Sequence, residues 1–312
     1  MNDINVLITG VNGFVGKYLS KLITEKYNRA SVFGFDICGK SVKDKVFIVD
    51  IGKEDEVLPI LDKLKPSYIF HLAGTIYSNN WDELFQNNVN KTKCLIDMIM
   101  KSKILSRIII PGSAAEYGSI PTKYLPVIET QVPNPVTLYG LSKVFQTNIA
   151  KYYAAKGMDI VIGRLFNFIG KGASERLAIG AFAQQLMKIN KFKSKRNIIR
   201  VGNIDSKRDF LDIEDICSGL IAIAQKGKRG EIYNICSGSS ISMKNILKMM
   251  IDRNHQKIKV LVDHNRIKKN DIKNIYGSNQ KIQSETGWYS QVSITKSIDK
   301  LFDLSKNCNF YN

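Results

Sequence analysis

Apolar residues come in short bursts along the first half of the chain, and each burst is followed by a pattern of helical period. Residues 4–9 form an apolar run of strand length. Beyond it Val15, Leu19, Leu22 and Ile23 fall on one face of a helix. The alternation repeats: strands are predicted over 31–35, 45–49, 68–71, 107–110 and 159–163. Helices are predicted over 54–64 (stopped by Pro66), over about 88–102, and from Tyr139 to about Lys156, ending at Gly157. Such alternation predicts an α/β fold, a Rossmann-type doubly wound parallel sheet. Ligands in these sheets sit at the carboxyl ends of the strands, where Gly10, Asp36, Asp50, Ala73 and Ser113 are all predicted to lie.

Pro121, Pro126, Pro133 and Pro135 mark an irregular loop over 119–135. Past residue 165 the alternation weakens. Helices are expected over 178–189, 213–224 and 242–251, a strand over 231–235, a basic loop over 191–196, and a terminal helix after Gly287-Trp288. The expected division is a nucleotide-binding domain over 1–165, to which segments near 200–236 return. A smaller, discontinuous α/β substrate lobe would take most of 166–312.

The first strand ends in Gly10-Val11-Asn12-Gly13-Phe14-Val15-Gly16. In a strand–turn–helix of this kind the first glycine permits the turn, the second lets backbone approach a pyrophosphate, and the third lets helix pack on strand. Phe14 and Val15 would open the helix, whose N-terminal amides face the phosphates. Asp36, at the end of the second strand, can take the adenosine ribose hydroxyls and repel a 2′-phosphate, which favours NAD over NADP. Asp50-Ile51 would meet the adenine, and Leu72-Ala73-Gly74 would let the cofactor pass over the strand end.

Tyr139 and Lys143 stand four residues apart in a predicted helix and so project from the same face. An ammonium beside a phenol lowers the phenol pKa from about 10. A phenol so tuned can exchange a proton while a hydride moves at the adjacent carbon. Ser113, from the preceding strand end, would bind the same oxygen.

Composition narrows the classes. The 312 residues are 44% hydrophobic and 24% charged, ample for a large core. Met1-Asn2-Asp3 leads straight into a strand, with no signal-peptide pattern, and no apolar run is long enough to span a membrane. Cys38, Cys94, Cys217, Cys236 and Cys308 lie far apart and read as buried thiols of a reducing cytoplasm. His71, His255 and His264 are too scattered for a metal centre. The net charge of +18 is spread along the chain, with dense runs only at 188–200, 226–229 and 257–273 and no interleaved aromatics. It reads as a lysine-rich solvated surface suited to an anionic small substrate, with neither nucleic acid nor membrane as partner.

These residues together resemble the extended short-chain dehydrogenase/reductase family of nucleotide-sugar epimerases, dehydratases and reductases. The likeness includes the Gly10/Gly13/Gly16 turn, His71-Leu72-Ala73, Ser113 before Tyr117-Gly118, Tyr139/Lys143, Arg164-x-x-Asn167-x-x-Gly170, Arg208-Asp209-Phe210 and Thr286-Gly287-Trp288. Within that family it looks closest to reductases of GDP-4-keto-6-deoxy-mannose, which make a deoxy sugar for surface polysaccharide. The resemblance implies Ser113, Tyr139 and Lys143 as catalytic. It implies Asn167, Arg208 and Lys268 as contacts to the nucleotide diphosphate, with Thr75, Ser113 and Glu116 also facing substrate, and a homodimer through the Tyr139 helix. Arg208 could instead pair with Asp209, Asp212 or Asp215. Dehydratases of the family carry an acid and a base just after the catalytic Ser/Thr; here stand Ala114 and Ala115, and Glu116 points to the other side. A 4-ketoreductase is expected, and a 4-epimerase with tightly held NAD is the alternative.

Overall fold

The computed structural model describes residues 4–192, 197–254, 256–267 and 271–302, with residues 191 and 192 by backbone alone. Lys268, His255, Cys308 and the side chains of the basic loop over 191–196 lie outside the described residues. The first half runs β1 (Ile4–Thr9), α1 (Phe14–Lys26), β2 (Ala30–Asp36), β3 (Val46–Ile48), α2 (Glu54–Leu64), β4 (Tyr68–His71), α3 (Trp81–Phe85), α4 (Lys91–Lys101), β5 (Arg107–Ser113), α5 (Leu138–Ala155) and β6 (Ile160–Leu165). Next come β7 (Asn167–Ile169), α6 (Ala178–Phe192), β8 (Ile198–Val201), β9 (Lys207–Arg208), β10 (Phe210–Asp212), α7 (Ile213–Lys226) and β11 (Ile232–Ile235). The chain closes with β12 (Ile241–Ser242), α8 (Met243–Ile251), β13 (Lys259–Val262), β14 (Asn274–Ile275), α9 (Gln280–Thr286) and α10 (Ile294–Phe302).

Seven strands form one parallel sheet in the order β11-β6-β5-β4-β1-β2-β3. The strand order reverses at β1, which opens a crevice between the ends of β1 and β4. Side chains alternate across the sheet, so Val6 and Ile8 join the core under α1 and α7, while Leu7 joins the core under α2, α4 and α5. Burial on both faces explains why these strands read as unbroken apolar runs. The late segment reaches this sheet through β11, which pairs with β6.

Outside the sheet, β8, α6, α8 and α10 enclose a smaller core of Phe182, Leu186, Ile199, Leu247, Met250 and Ile298. Buried carboxylates tie this part to the sheet. Asp209, between β9 and β10, accepts from Ser237 N (2.8 Å), Ser237 Oγ (2.7 Å), Gly238 N (3.1 Å) and Gly277 N (3.3 Å). Ser237 and Gly238 follow β11, and Gly277 follows β14, so one side chain joins three segments. Burial raises the Asp209 pKa, and the Ser237 and Gly277 donors pull against that rise. Asp215 on α7 accepts from Gln291 N and Val292 N and holds the approach to α10.

Some expectations are corrected. The helix expected from about residue 88 begins earlier: α3 starts at Trp81, capped by the Asn80 side chain, and a π-type turn over Gln86–Asn90 joins it to α4. Cys38 is exposed and Cys94 half-buried, whereas Cys217 and Cys236 are buried as expected. The short strands β7, β8 and β13 went unpredicted, because three or four residues carry no measurable period.

The Asp209 junction generates a prediction. Removing its carboxylate strands four donors, so Asp209→Ala should lower the unfolding free energy in urea by on the order of 3 kcal/mol. Asp209→Asn, which keeps an acceptor, should lose less.

Candidate active site

The glycine turn is built to admit a bound group. Gly10 has φ +70°, and a Cβ there would lie 2.9 Å from Ala73 N. A Cβ at Gly16 would lie 2.2 Å from Gly10 O, so helix and turn close on each other only without side chains. Helix α1 starts with no side-chain cap and no acidic residue in its first turn, leaving its amides open to an anion. Asp36 stands beside the turn: Oδ2 accepts from Asn12 N at 2.8 Å and Oδ1 from Ile37 N at 2.9 Å. These two bonds orient the carboxylate and leave lone pairs for a ribose. The residues therefore fit a dinucleotide.

From there a cleft of about 830 Å³ runs across the strand ends to the lobe. Val15, Leu72, Ala73, Gly74 and Thr75 line its floor, Ser113, Tyr139 and Lys143 its centre, and Asn167 and Arg208 its far side. Other expected contacts sit elsewhere. Phe14 stacks on Phe168 with ring centroids 5.9 Å apart, and its neighbour Val15, not Phe14 itself, meets the cleft. Ile51 is 4% exposed and packs into the core beneath β1 and α2. Asp50 accepts from Gly52 N and pairs with Lys91 at 2.9 Å.

Glu116 does not line the cleft as the resemblance implied, but lies on the other side, as its place after Ser113 implied. It is fully buried and faces away from the cleft. Its Oε1 accepts from Ser113 N at 2.7 Å, and its Oε2 accepts from Thr147 Oγ1 and from Arg164 Nε, each at 3.0 Å. Gly112 makes room for this carboxylate, since a Cβ there would lie 2.6 Å from Oε1. Glu116 is thus the brace behind Ser113, tying β5, α5 and β6. Ala114 and Ala115, by contrast, do line the cleft.

At the centre, burial pushes the Tyr139 phenol up to about 12; a hydrogen bond with Ser113 opposes this and the Glu116 charge adds to it. The expectation of a phenol lowered by its lysine is not met in this state. Burial pushes the Lys143 amine down to about 8, against the pull of Glu116, and the amine donates to Gln146 Oε1. Asn88, in the π-type turn, had not been expected here. It holds Thr75 from both sides, Oδ1 accepting from Thr75 N (2.7 Å) and Nδ2 donating to Thr75 O (2.9 Å), and it donates to Ser142 Oγ at 3.0 Å. The asparagine-rich stretch Asn87-Asn88 and Asn90, poor in helix propensity, was the available signal.

The far side of the cleft is basic. Arg208 pairs with Asp271 at 2.7 Å rather than with Asp209, Asp212 or Asp215. Asn167 donates to Asp209 O at 3.2 Å. Arg176, Arg200 and Arg266 join the lining, none of them expected from sequence, because β8 and the segments bearing them come together only in the folded lobe. Arg176 stacks on Tyr77, 5.5 Å from the ring centroid. Among the described residues no cluster of His, Cys, Asp and Glu could hold a metal ion, and no helix is long and apolar enough to cross a membrane.

Comparison with known proteins agrees with this geometry. Residues 6–236 match the model of the NAD dependent epimerase/dehydratase family. GDP-6-deoxy-D-mannose reductase of Pseudomonas aeruginosa is 24% identical over 298 residues, 94% of each chain. GDP-6-deoxy-D-talose 4-dehydrogenase of Aggregatibacter actinomycetemcomitans is 27% identical over 286 residues, 90% of this chain and 91% of that one. The solved structure of RMD from Pseudomonas aeruginosa complexed with NADPH has a TM-score of 0.83 at 23% identity, covering 96% of this chain and 97% of that one.

The brace yields a prediction. Glu116→Ala leaves Arg164 buried without its partner and should cost about 3–5 kcal/mol of stability, measured by denaturant unfolding.

Proposed function

The chain belongs to the NAD dependent epimerase/dehydratase family, and on that footing we propose that it reduces the 4-keto group of a nucleotide-linked 4-keto-6-deoxy sugar. The pair Ala114 and Ala115 beside Ser113 in the cleft lining carries this reading. Dehydration needs an acid and a base at the sugar; neither alanine can move a proton, and Glu116 is sealed behind the strand. The groups that remain, Ser113, Tyr139 and Lys143, suffice for carbonyl reduction.

Gly10, Gly13 and Gly16, the first turn of α1, Asp36 and Lys143 would hold NAD or NADP, whose reduced nicotinamide would supply a hydride to the 4-keto carbon. Tyr139 would give its hydroxyl proton to the oxygen, completing the alcohol. Ser113 donates a hydrogen bond to the same oxygen and fixes the carbonyl against the phenol. With its high phenol pKa, Tyr139 stays protonated until the oxygen gathers charge, as a general acid must. Arg208, Arg176, Arg200 and Arg266, with Asn167, offer a cationic bed for a nucleotide diphosphate. Relatives that act on GDP-linked deoxy sugars support a GDP-linked 4-keto-6-deoxy-mannose as substrate. The exposed Phe145 of α5, packed against Trp81 and Phe85, offers a face for pairing two copies.

Two outcomes test this reading. Mixed with GDP-4-keto-6-deoxy-mannose and either NADH or NADPH, the protein should consume the reduced-nicotinamide absorbance stoichiometrically. Tyr139→Phe should slow it on the order of a hundred- to ten-thousand-fold. Purification with bound NAD, and interconversion of UDP-glucose and UDP-galactose without net nicotinamide consumption, would favour the 4-epimerase that Asp36 also accommodates. Asp36 should set the cofactor: Asp36→Ala removes the charge facing a 2′-phosphate and should raise the NADPH to NADH preference about tenfold or more, read from the two KM values.

A further inference from the structure

Beneath the catalytic lysine runs a closed chain of buried polar groups. Lys143 donates to Gln146 Oε1. Gln146, 1% exposed, donates through Nε2 to Thr92 Oγ1 at 2.8 Å. Thr92, on α4, donates to Asn88 O at 2.7 Å and lies 2.9 Å from His71 Nε2. At the far end His71 Nδ1 lies 2.9 Å from Thr9 Oγ1, which accepts from Ala73 N at 3.1 Å.

Counting protons fixes the directions at Thr92, and a neutral His71 fixes the one at Thr9. Asn88 O can only accept, so it takes the single hydroxyl proton of Thr92. His71 Nε2 and Gln146 Nε2 must then both donate to Thr92. That orientation turns the Gln146 carbonyl, not its amide nitrogen, toward a lysine that can only donate. Thr9 accepts from Ala73 N, and a neutral imidazole with its proton on Nε2 takes the Thr9 hydroxyl proton at Nδ1. Burial, with a smaller contribution from the Lys143 charge, holds His71 down at about 3, in keeping with this tautomer.

We propose that Gln146 is a positioning residue for Lys143: its carbonyl, locked by Thr92 and His71, fixes the amine at one point through a neutral acceptor and leaves its charge to respond to the cleft. This rests on the catalytic reading of Lys143 given above. The charged and titratable groups close enough to act on the amine are His71 from β4, neutral, and Glu116 from the turn after β5, already paired with Arg164. Neither pins the ammonium at contact. A carboxylate at position 146 would.

The test compares Gln146→Glu, nearly isosteric, with Gln146→Leu, which has no acceptor. The Lys143 amine is titrated by trace acetylation with acetic anhydride over a pH series, read on its peptide by mass spectrometry, without cofactor or substrate. The unsubstituted protein should show an inflection near 8. Glu stabilises the ammonium and should move that inflection up by about one unit or more, a tenfold drop in acetylation rate below it. Leu removes a hydrogen bond to the charged form and should move it down. Opposite shifts cannot come from general damage to the fold. The basic limb of the pH–rate profile for ketone reduction, where the rate falls as the ammonium is lost, should move in the same two directions. An inflection unmoved by Glu would overturn the proposal, as would a moved inflection with an unmoved rate profile. Absence of reduction by the unsubstituted protein would instead strike the reductase reading, while the acetylation shifts would still report on Gln146.

Discussion

One buried carboxylate holds the candidate catalytic groups in relation to one another. Glu116 takes the amide of Ser113, the hydroxyl of Thr147 on α5 and the guanidinium of Arg164 on β6. The serine hydroxyl sits at the end of one strand and the tyrosine on the helix that follows, so their spacing depends on how these elements dock. A buried ion pair contributes little net stability compared with an apolar replacement, yet breaking it is expensive. Here it fixes register: only one docking of α5 on β5 and β6 satisfies all three partners of the carboxylate.

The same device recurs at the other wall of the cleft. Asp209 collects donors from the ends of β11 and β14, and so sets where Arg208 and Asn167 stand relative to the main sheet. Arg208 is oriented in turn by Asp271. The cleft thus lies between two walls, each tied by a fully buried acid. Glu116 sits in a conspicuous sequence motif, which explains how a buried brace can be read as a substrate contact.

A third layer lies under the floor. The chain from Lys143 through Gln146, Thr92 and His71 to Thr9 links α5, α4, β4 and β1 with one consistent set of hydrogen-bond directions. Such a network costs stability if any member is unsatisfied and confers rigidity when all are paired. Its neutral histidine explains how a buried amine is tolerated here without a carboxylate at contact.

The sheet, its helices and the strand-end placement of Gly10, Asp36, Ala73 and Ser113 were legible in the sequence, since strand and helix periods and glycine turns are local properties of consecutive residues. So was the Tyr139/Lys143 pair, because four residues make one helical turn. What the sequence could not decide was direction. Whether Glu116 faced substrate or core depended on Gly112 making space and on Arg164, 48 residues away, supplying the charge. Whether Lys143 faced the phenol or Gln146 depended on a threonine and a histidine from two other elements. The partner of Arg208 proved to be Asp271, 63 residues on, rather than any nearby acid. Local periodicity fixes which face a side chain occupies. The groups it meets there come from distant parts of the chain, and only the packed fold brings them within hydrogen-bonding distance.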